Sequence, residues 1–324
     1  MNLTFHRLIR LAACGLVVAQ LICAAACAER RGATLAPPKP DKSDTTSATD
    51  AKDIGKDWVR MKYDSKDEPI AMQTAIVRYT LAKPNGKPGS GVTVDLIGAV
   101  HIGDIAYYRK LNRQFSQYDA LLYELVAPEG TKVPLGRGTS NGHPIGALQN
   151  MAKDFLELEH QLEYVDYTRT NFIHADMSPD EFQQAMKDRN ESFLQMYFKL
   201  MGTAMAEQSK MAAKGGGSDD LDLITALFAS DRQRRLKIIL GKQLSEMESL
   251  MVSFGGEEGS TIITERNKKA LAVLKKQMAS GKKHIGVFYG AGHLSDMDTR
   301  LRTDIHLQPA SITWLTAWDL AAKP

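Results

Sequence analysis

VDLIGAVHIGDIAYYRKL, residues 94 to 111, runs as an apolar strand up to His101 and then turns at once into an amphipathic helix. From Asp104 to Gln117, Tyr107, Tyr108, Leu111 and Phe115 recur on one helical stripe, and Asp104 stands where a helix cap belongs. YDALLYELV, residues 118 to 126, follows as a second buried strand. A strand, a helix of this length and another strand imply a right-handed crossover and a parallel pair.

Working outward, Ala75 to Leu81 forms a strand, PNGKPGSG a turn and Val92 to Val100 the partner strand, which together predict a hairpin. Toward the C-terminus alternation returns: a helix from Thr261 to Met278, a strand from Lys283 to Gly290, a helix from Leu294 to Leu301 and a last strand from Ser311 to Leu320. The expected fold is α/β, a central mixed, partly parallel sheet flanked by helices, over residues 69 to 324. Between about 145 and 260 the pattern is helical, rich in methionine and broken by GGGSDD at 215 to 220. Phe182, Met186, Phe193, Tyr197, Leu200, Met201 and Met205 make one apolar face, and Leu223, Leu227, Leu236, Ile239, Leu244, Met247 and Met251 another. Such an insertion reads as an antiparallel helix pair with methionine as core filler, or as a lid with an adaptable surface for an apolar or peptide ligand.

At 324 residues, with 43% hydrophobic and 24% charged positions, the chain has an ordinary soluble globular composition. Residues 1 to 28 stand apart, because Arg7 and Arg10 precede an apolar run from Leu11 to Ala26 that is short for a membrane anchor. This predicts an export signal and a location in the cell envelope. Ala26-Cys27-Ala28 is a cleavage-like site, while Ala24-Ala25-Ala26-Cys27 resembles a lipobox that would place a lipid on Cys27 and give the only membrane attachment. Residues 29 to 68, rich in Ala, Pro, Lys, Asp, Ser and Thr, read as a solvated, disordered linker. Cys14, Cys23 and Cys27 all lie in the leader, which excludes a disulfide framework or a cysteine metal site in the remainder. With 41 basic residues against 38 acidic ones, no basic excess of the kind nucleic acid demands is present.

Gly98-Ala99-Val100-His101 ends one strand and Gly290-Ala291-Gly292-His293 ends another. In open α/β sheets ligands bind beyond the carboxyl ends of parallel strands, so two such histidines can meet in one crevice, with Gly98 and Gly290 allowing close backbone approach. Glu124 ends the strand after the crossover; a carboxylate in the apolar run LLYELV needs a cation or hydrogen-bond partner. Two imidazoles and one carboxylate with an open position are a first shell for a hydrolytic divalent metal, such as zinc.

IGAVHIGDIAYYRKL, YDALLYELV, TERNKKALAVL and FYGAGHL, in this order, resemble the TraB/PrgY/GumN proteins and the Tiki metalloproteases, and more distantly the ChaN haem-binding and erythromycin-esterase-like folds. The likeness covers roughly residues 90 to 320. It implies His101 and His293 as metal ligands, Glu124 as a third ligand or a general base, and Arg266 with Asn267 as groups that could stabilise a developing oxyanion. It also implies manganese or cobalt as the metal and a peptide or protein substrate. The ChaN-like alternative is a non-catalytic protein binding haem, an apolar ligand or a peptide, with the histidines in the pocket.

Phe172-Ile173-His174-Ala175-Asp176-Met177 precedes Ser178-Pro179, a good helix start. His174 and Asp176 could orient a ligand histidine, or could serve only the local turn and cap. His143, His160, His284 and His306 read as structural or surface residues.

Overall fold

A computed structural model of the chain describes residues 54–82, 88–131, 133, 159–192, 229–255 and 259–322, together with positions 195, 202, 225 and 226. The leader and its cysteines, most of the linker and much of the methionine-rich middle, including Phe193, Tyr197, Leu200, Met201, Met205, Leu223 and Leu227, lie outside the described residues. Among the described residues no helix is long and apolar enough to cross a membrane.

The chain enters with β1 (Val59–Tyr63), β2 (Pro69–Ala82) and β3 (Pro88–Ala99), continues through β4 (Ile102–Gly103), α1 (Ile105–Phe115) and β5 (Ala120–Tyr123), then β6 (Glu159–His160), α2 (Gln161–Tyr164), β7 (Phe172–His174) and α3 (Pro179–Asp188). It closes with α4 (Arg232–Gly255), a π-helical turn at Thr261–Glu265, α5 (Arg266–Ala279), β8 (His284–Gly290), α6 (Ala291–Thr303) and β9 (Leu307–Asp319). The seven-stranded sheet has the order β1-β2-β3-β8-β5-β7, with β9 also paired to β2. β2 is antiparallel to β1, β3 and β9, whereas β3, β8, β5 and β7 run parallel, so the expected mixed, partly parallel sheet is what the chain forms.

Both faces of the parallel half are covered, which is why its strands read as nearly continuous apolar runs. Along β3, Ile97 and Ala99 face a core containing Tyr107, Tyr108, Leu111 and Phe115 of α1. Val94 and Leu96 face the opposite core, with Ala270, Leu271 and Leu274 of α5 and Leu294, Met297 and Leu301 of α6. Inside β3 the one acid, Asp95, is 1% exposed and is held by Arg78 and by the Tyr118 hydroxyl. That satisfies a charge the apolar pattern alone would reject.

Three expectations change. β3 and β5 are parallel but not adjacent, because β8, whose interior residues are buried on both faces, occupies the place between them. The linker stops short of residue 68: β1 pairs antiparallel with β2, and the side chain of Trp58 is fully buried. The middle is not all helix, since β7 extends the main sheet and β6 pairs with β4. Two helix starts differ instructively. Ser178 accepts from the Glu181 N–H while the Glu181 carboxylate accepts from Ser178 N–H, a full capping box with Pro179 in the first turn. Asp104 makes no side-chain cap; its carboxylate accepts from the Asp319 N–H and from Lys237, tying the start of α1 to β9 and α4.

Candidate active site

β3 and β8 are parallel neighbours, with Ala99 opposite Gly290, yet the chain leaves β3 for a helix on one face and β8 for a helix on the other. That reversal is a topological switch point, where a crevice opens beyond the carboxyl ends of the strands. His101 lies two residues past β3, His293 in the first turn of α6 directly after β8, and Glu124 immediately after β5, which pairs with β8 on its other side. Three adjacent parallel strands therefore deliver the three residues to one end of the sheet.

Glu124 Oε1 lies 3.5 Å from His293 Nε2. The same oxygen accepts from Arg266 Nη2 at 2.7 Å, and Oε2 accepts from the Gly290 N–H at 2.7 Å. Arg266, 1% exposed, also reaches Asp176 twice, through Nε at 3.0 Å and Nη2 at 2.6 Å. Its Nη1 stands 3.4 Å from His293 Nε2. The acid in LLYELV thus has its cation, and Asp176 belongs to the cluster rather than only to the turn before α3. His174 does not: its Nε2 binds the Leu125 carbonyl at 2.5 Å, with its ring tilted 59° to that of Tyr123.

Asn267 fixes the tautomer of His293. Its Nδ2 donates to the His293 carbonyl and to Asp296 Oδ2, which leaves Oδ1, 2.7 Å from His293 Nδ1, as an acceptor. Nδ1 therefore carries the proton and Nε2 presents its lone pair toward Glu124 and Arg266. Asp296, three residues after His293 on α6, was not read from the sequence. Its only signal there is an acid at helical spacing from the histidine.

Burial by itself would raise the Glu124 carboxyl, but the charge of Arg266, those of His293 and His101 once acid protonates them, and the Gly290 N–H together outweigh it and hold the group well below the usual carboxylate range. Burial pulls His293 down to about 4 against the attraction of Glu124, with Arg266 adding to the fall. His101 is lowered too, by burial first, and also feels the charges of Glu124 and Arg266. Arg266 is raised, because Asp176 and Glu124 overcome the effect of burial. At neutral pH the cluster holds two carboxylates, one guanidinium and neutral histidines, leaving one negative charge in a buried place.

Space is tight at both glycines. A Cβ on Gly290 would stand 3.2 Å from Glu124 Oε2, and one on Gly98 would stand 3.1 Å from the Ala75 carbonyl and 3.4 Å from a Leu294 methyl.

A divalent ion fits this donor set in part. Two donors bound to one ion at about 2.0–2.2 Å lie roughly 3.0–3.5 Å apart, and Glu124 Oε1 with His293 Nε2 meets that separation. The residual negative charge favours a cation. Among the described residues no three or more His, Cys, Asp or Glu side chains already stand together as a metal centre, so His101 is a neighbour of the pair rather than a converged third donor. No protein-family model, curated protein or solved structure matches the chain, and the site rests on its own geometry.

Proposed function

We propose that the protein is a divalent-metal-dependent hydrolase that cleaves peptide bonds, of the TraB/PrgY/GumN and Tiki type, acting in the cell envelope. The observation that carries the reading is the 3.5 Å approach of Glu124 Oε1 to a His293 Nε2 whose tautomer Asn267 fixes, at the switch point of a parallel sheet. His293 and Glu124 would hold the metal, with His101 beside them. When bound it would supply Lewis acidity, polarising a carbonyl and acidifying water.

The chain's own groups divide the remaining work. Glu124 is held so far below neutrality that it is a poor proton acceptor, which favours a ligand's role over that of general base. Arg266 keeps that carboxylate ionised and aimed, its fork bound to Asp176 and Glu124. The amide of Asn267 is occupied with the ring and backbone of His293 and with Asp296, so it orients a ligand rather than meeting substrate.

Metal-loaded protein incubated with a peptide library, with and without chelator, tests this. The expected result is cleavage that chelator abolishes, manganese or cobalt restores and His293→Ala eliminates. Metal-loaded wild-type protein that leaves every peptide intact contradicts it.

A further inference from the structure

Beyond the metal-binding residues, the polypeptide turns back on His101. β4, just after that histidine, pairs with β6, setting Ile102 opposite His160 and Gly103 opposite Glu159. This brings the first residue of α2, Gln161, against the site, where its backbone N–H donates to the His101 carbonyl at 2.9 Å. The Gln161 side chain continues the path: Nε2 donates to the Tyr167 hydroxyl oxygen at 2.6 Å. The Tyr167 ring packs edge-on against Tyr123, the residue before Glu124, with centroids 5.1 Å apart. Gln161 and Tyr167 are each 7% exposed.

Two hydrogen-bonding functions remain in this wall. Gln161 Oε1 is buried with no partner among the described residues. Because Tyr167 accepts from Gln161, its own O–H is left to donate, and among the described residues no acceptor for it is recorded. Buried polar atoms in native proteins are satisfied with few exceptions, and an orphan beside a reaction centre marks a place where a ligand supplies the missing partner. Here the missing partners are one donor and one acceptor, side by side. The N–H and C=O of a single residue in an extended peptide point the same way and have that pattern.

We infer that Gln161 and Tyr167 form a main-chain subsite, in which Gln161 Oε1 accepts the N–H and the Tyr167 hydroxyl donates to the C=O of one residue of an extended peptide laid past His101. This rests on the peptide-hydrolase reading, and it names the residues that would make an amide backbone, rather than an ester, the preferred ligand. A site built around a substrate N–H discriminates strongly against an analogue that lacks it, since its buried acceptor is then left unpaired. The Tyr167 hydroxyl, raised by burial, is protonated at neutral pH and able to donate.

The probes are N-acetyl-trialanine methylamide and the analogues in which one main-chain N–H at a time is replaced by an ester oxygen. Their binding to metal-loaded full-length protein is read by saturation-transfer NMR. In the wild type one ester position is expected to bind at least about 10-fold more weakly than the parent, because its buried acceptor goes unpaired. In Gln161→Met that single penalty disappears, and Tyr167→Phe weakens parent and analogues alike. Melting curves and metal content matching the wild type show that both near-isosteric variants fold. Equal binding of parent and all esters to the wild type, an undiminished penalty in Gln161→Met, or no binding of the parent overturns the subsite. Binding with the expected pattern but without cleavage in the peptide-library assay overturns the hydrolase reading alone.

Discussion

Replacing Arg266 by Met removes the cation that pairs with two desolvated carboxylates, Glu124 and Asp176, and measures their coupling quantitatively. The guanidinium meets Glu124 at 2.7 Å and Asp176 at 2.6 Å, with side-chain exposures of 1% for Arg266, 9% for Glu124 and 0% for Asp176. Solvent therefore cannot replace it, and leaving such partners unpaired costs about 3–5 kcal/mol. A second route gives the same scale. The variant can escape repulsion by protonating one carboxyl, which at pH 7 costs about 1.4 kcal/mol for each of the roughly 2.7 units between pH 7 and a carboxyl's ordinary value, or about 4 kcal/mol. The pH dependence follows with a definite sign. In the variant the folded state holds a carboxyl whose pKa is raised above its unfolded value, so stability is lost as pH rises and recovers as it falls. Between pH 7 and pH 5 about 2.7 kcal/mol of the defect should return. Urea denaturation of the metal-free proteins, followed by tryptophan fluorescence at both pH values, reads this. A loss under about 1 kcal/mol at pH 7, or an equal loss at pH 5, refutes the reasoning.

Metal-free wild-type protein should lose stability in acid through His293, whose folded pKa of about 4 lies below an unfolded value of about 6.5. The contribution is intact above pH 6.5 and falls by about 3 kcal/mol as pH drops to 4; denaturation of wild type and His293→Gln at pH 7.5 and 4.5 should show the difference confined to the wild type. Asn267→Ala removes the acceptor that holds the Nδ1 proton of His293 and should weaken manganese binding by about 10–100-fold in a competition titration, with unchanged affinity contradicting its orienting role. Trp58→Ala, at a fully buried position beside β1, should cost about 3–5 kcal/mol, an effect absent from a chain whose linker ran disordered to residue 68.

What could be read in the sequence follows from where each signal resides. The strand–helix–strand unit around His101 was legible because its apolar periods are local, and Glu124 announced a buried partner by breaking LLYELV. The identity of that partner is not legible: Arg266 and Asn267 enter only through the family resemblance, as groups for an oxyanion, and the links from Arg266 to Glu124 and Asp176 join residues 142 and 90 positions apart, farther than any spacing rule reaches. The insertion of β8 between β3 and β5 was hidden for the same reason: chain order does not state which of several equally apolar strands takes the centre. β1 was missed because VRMKY is a short, half-exposed strand set in polar sequence, and Gln161 because a four-residue helix fixed by a two-residue bridge to β4 carries no periodic pattern. The α5 helix starts at Arg266 rather than Thr261 because a π-helical turn, Thr261–Glu265, precedes it.

The most direct test of the central claim is metal stoichiometry: elemental analysis of purified full-length protein after loading with manganese and removal of free ion. One ion per chain is expected in the wild type, lost in Glu124→Gln and His293→Ala and held more weakly in His101→Ala, with all three variants still folded. A wild type that retains no ion, or variants that retain it as well as the wild type does, would contradict a metal site at this sheet end.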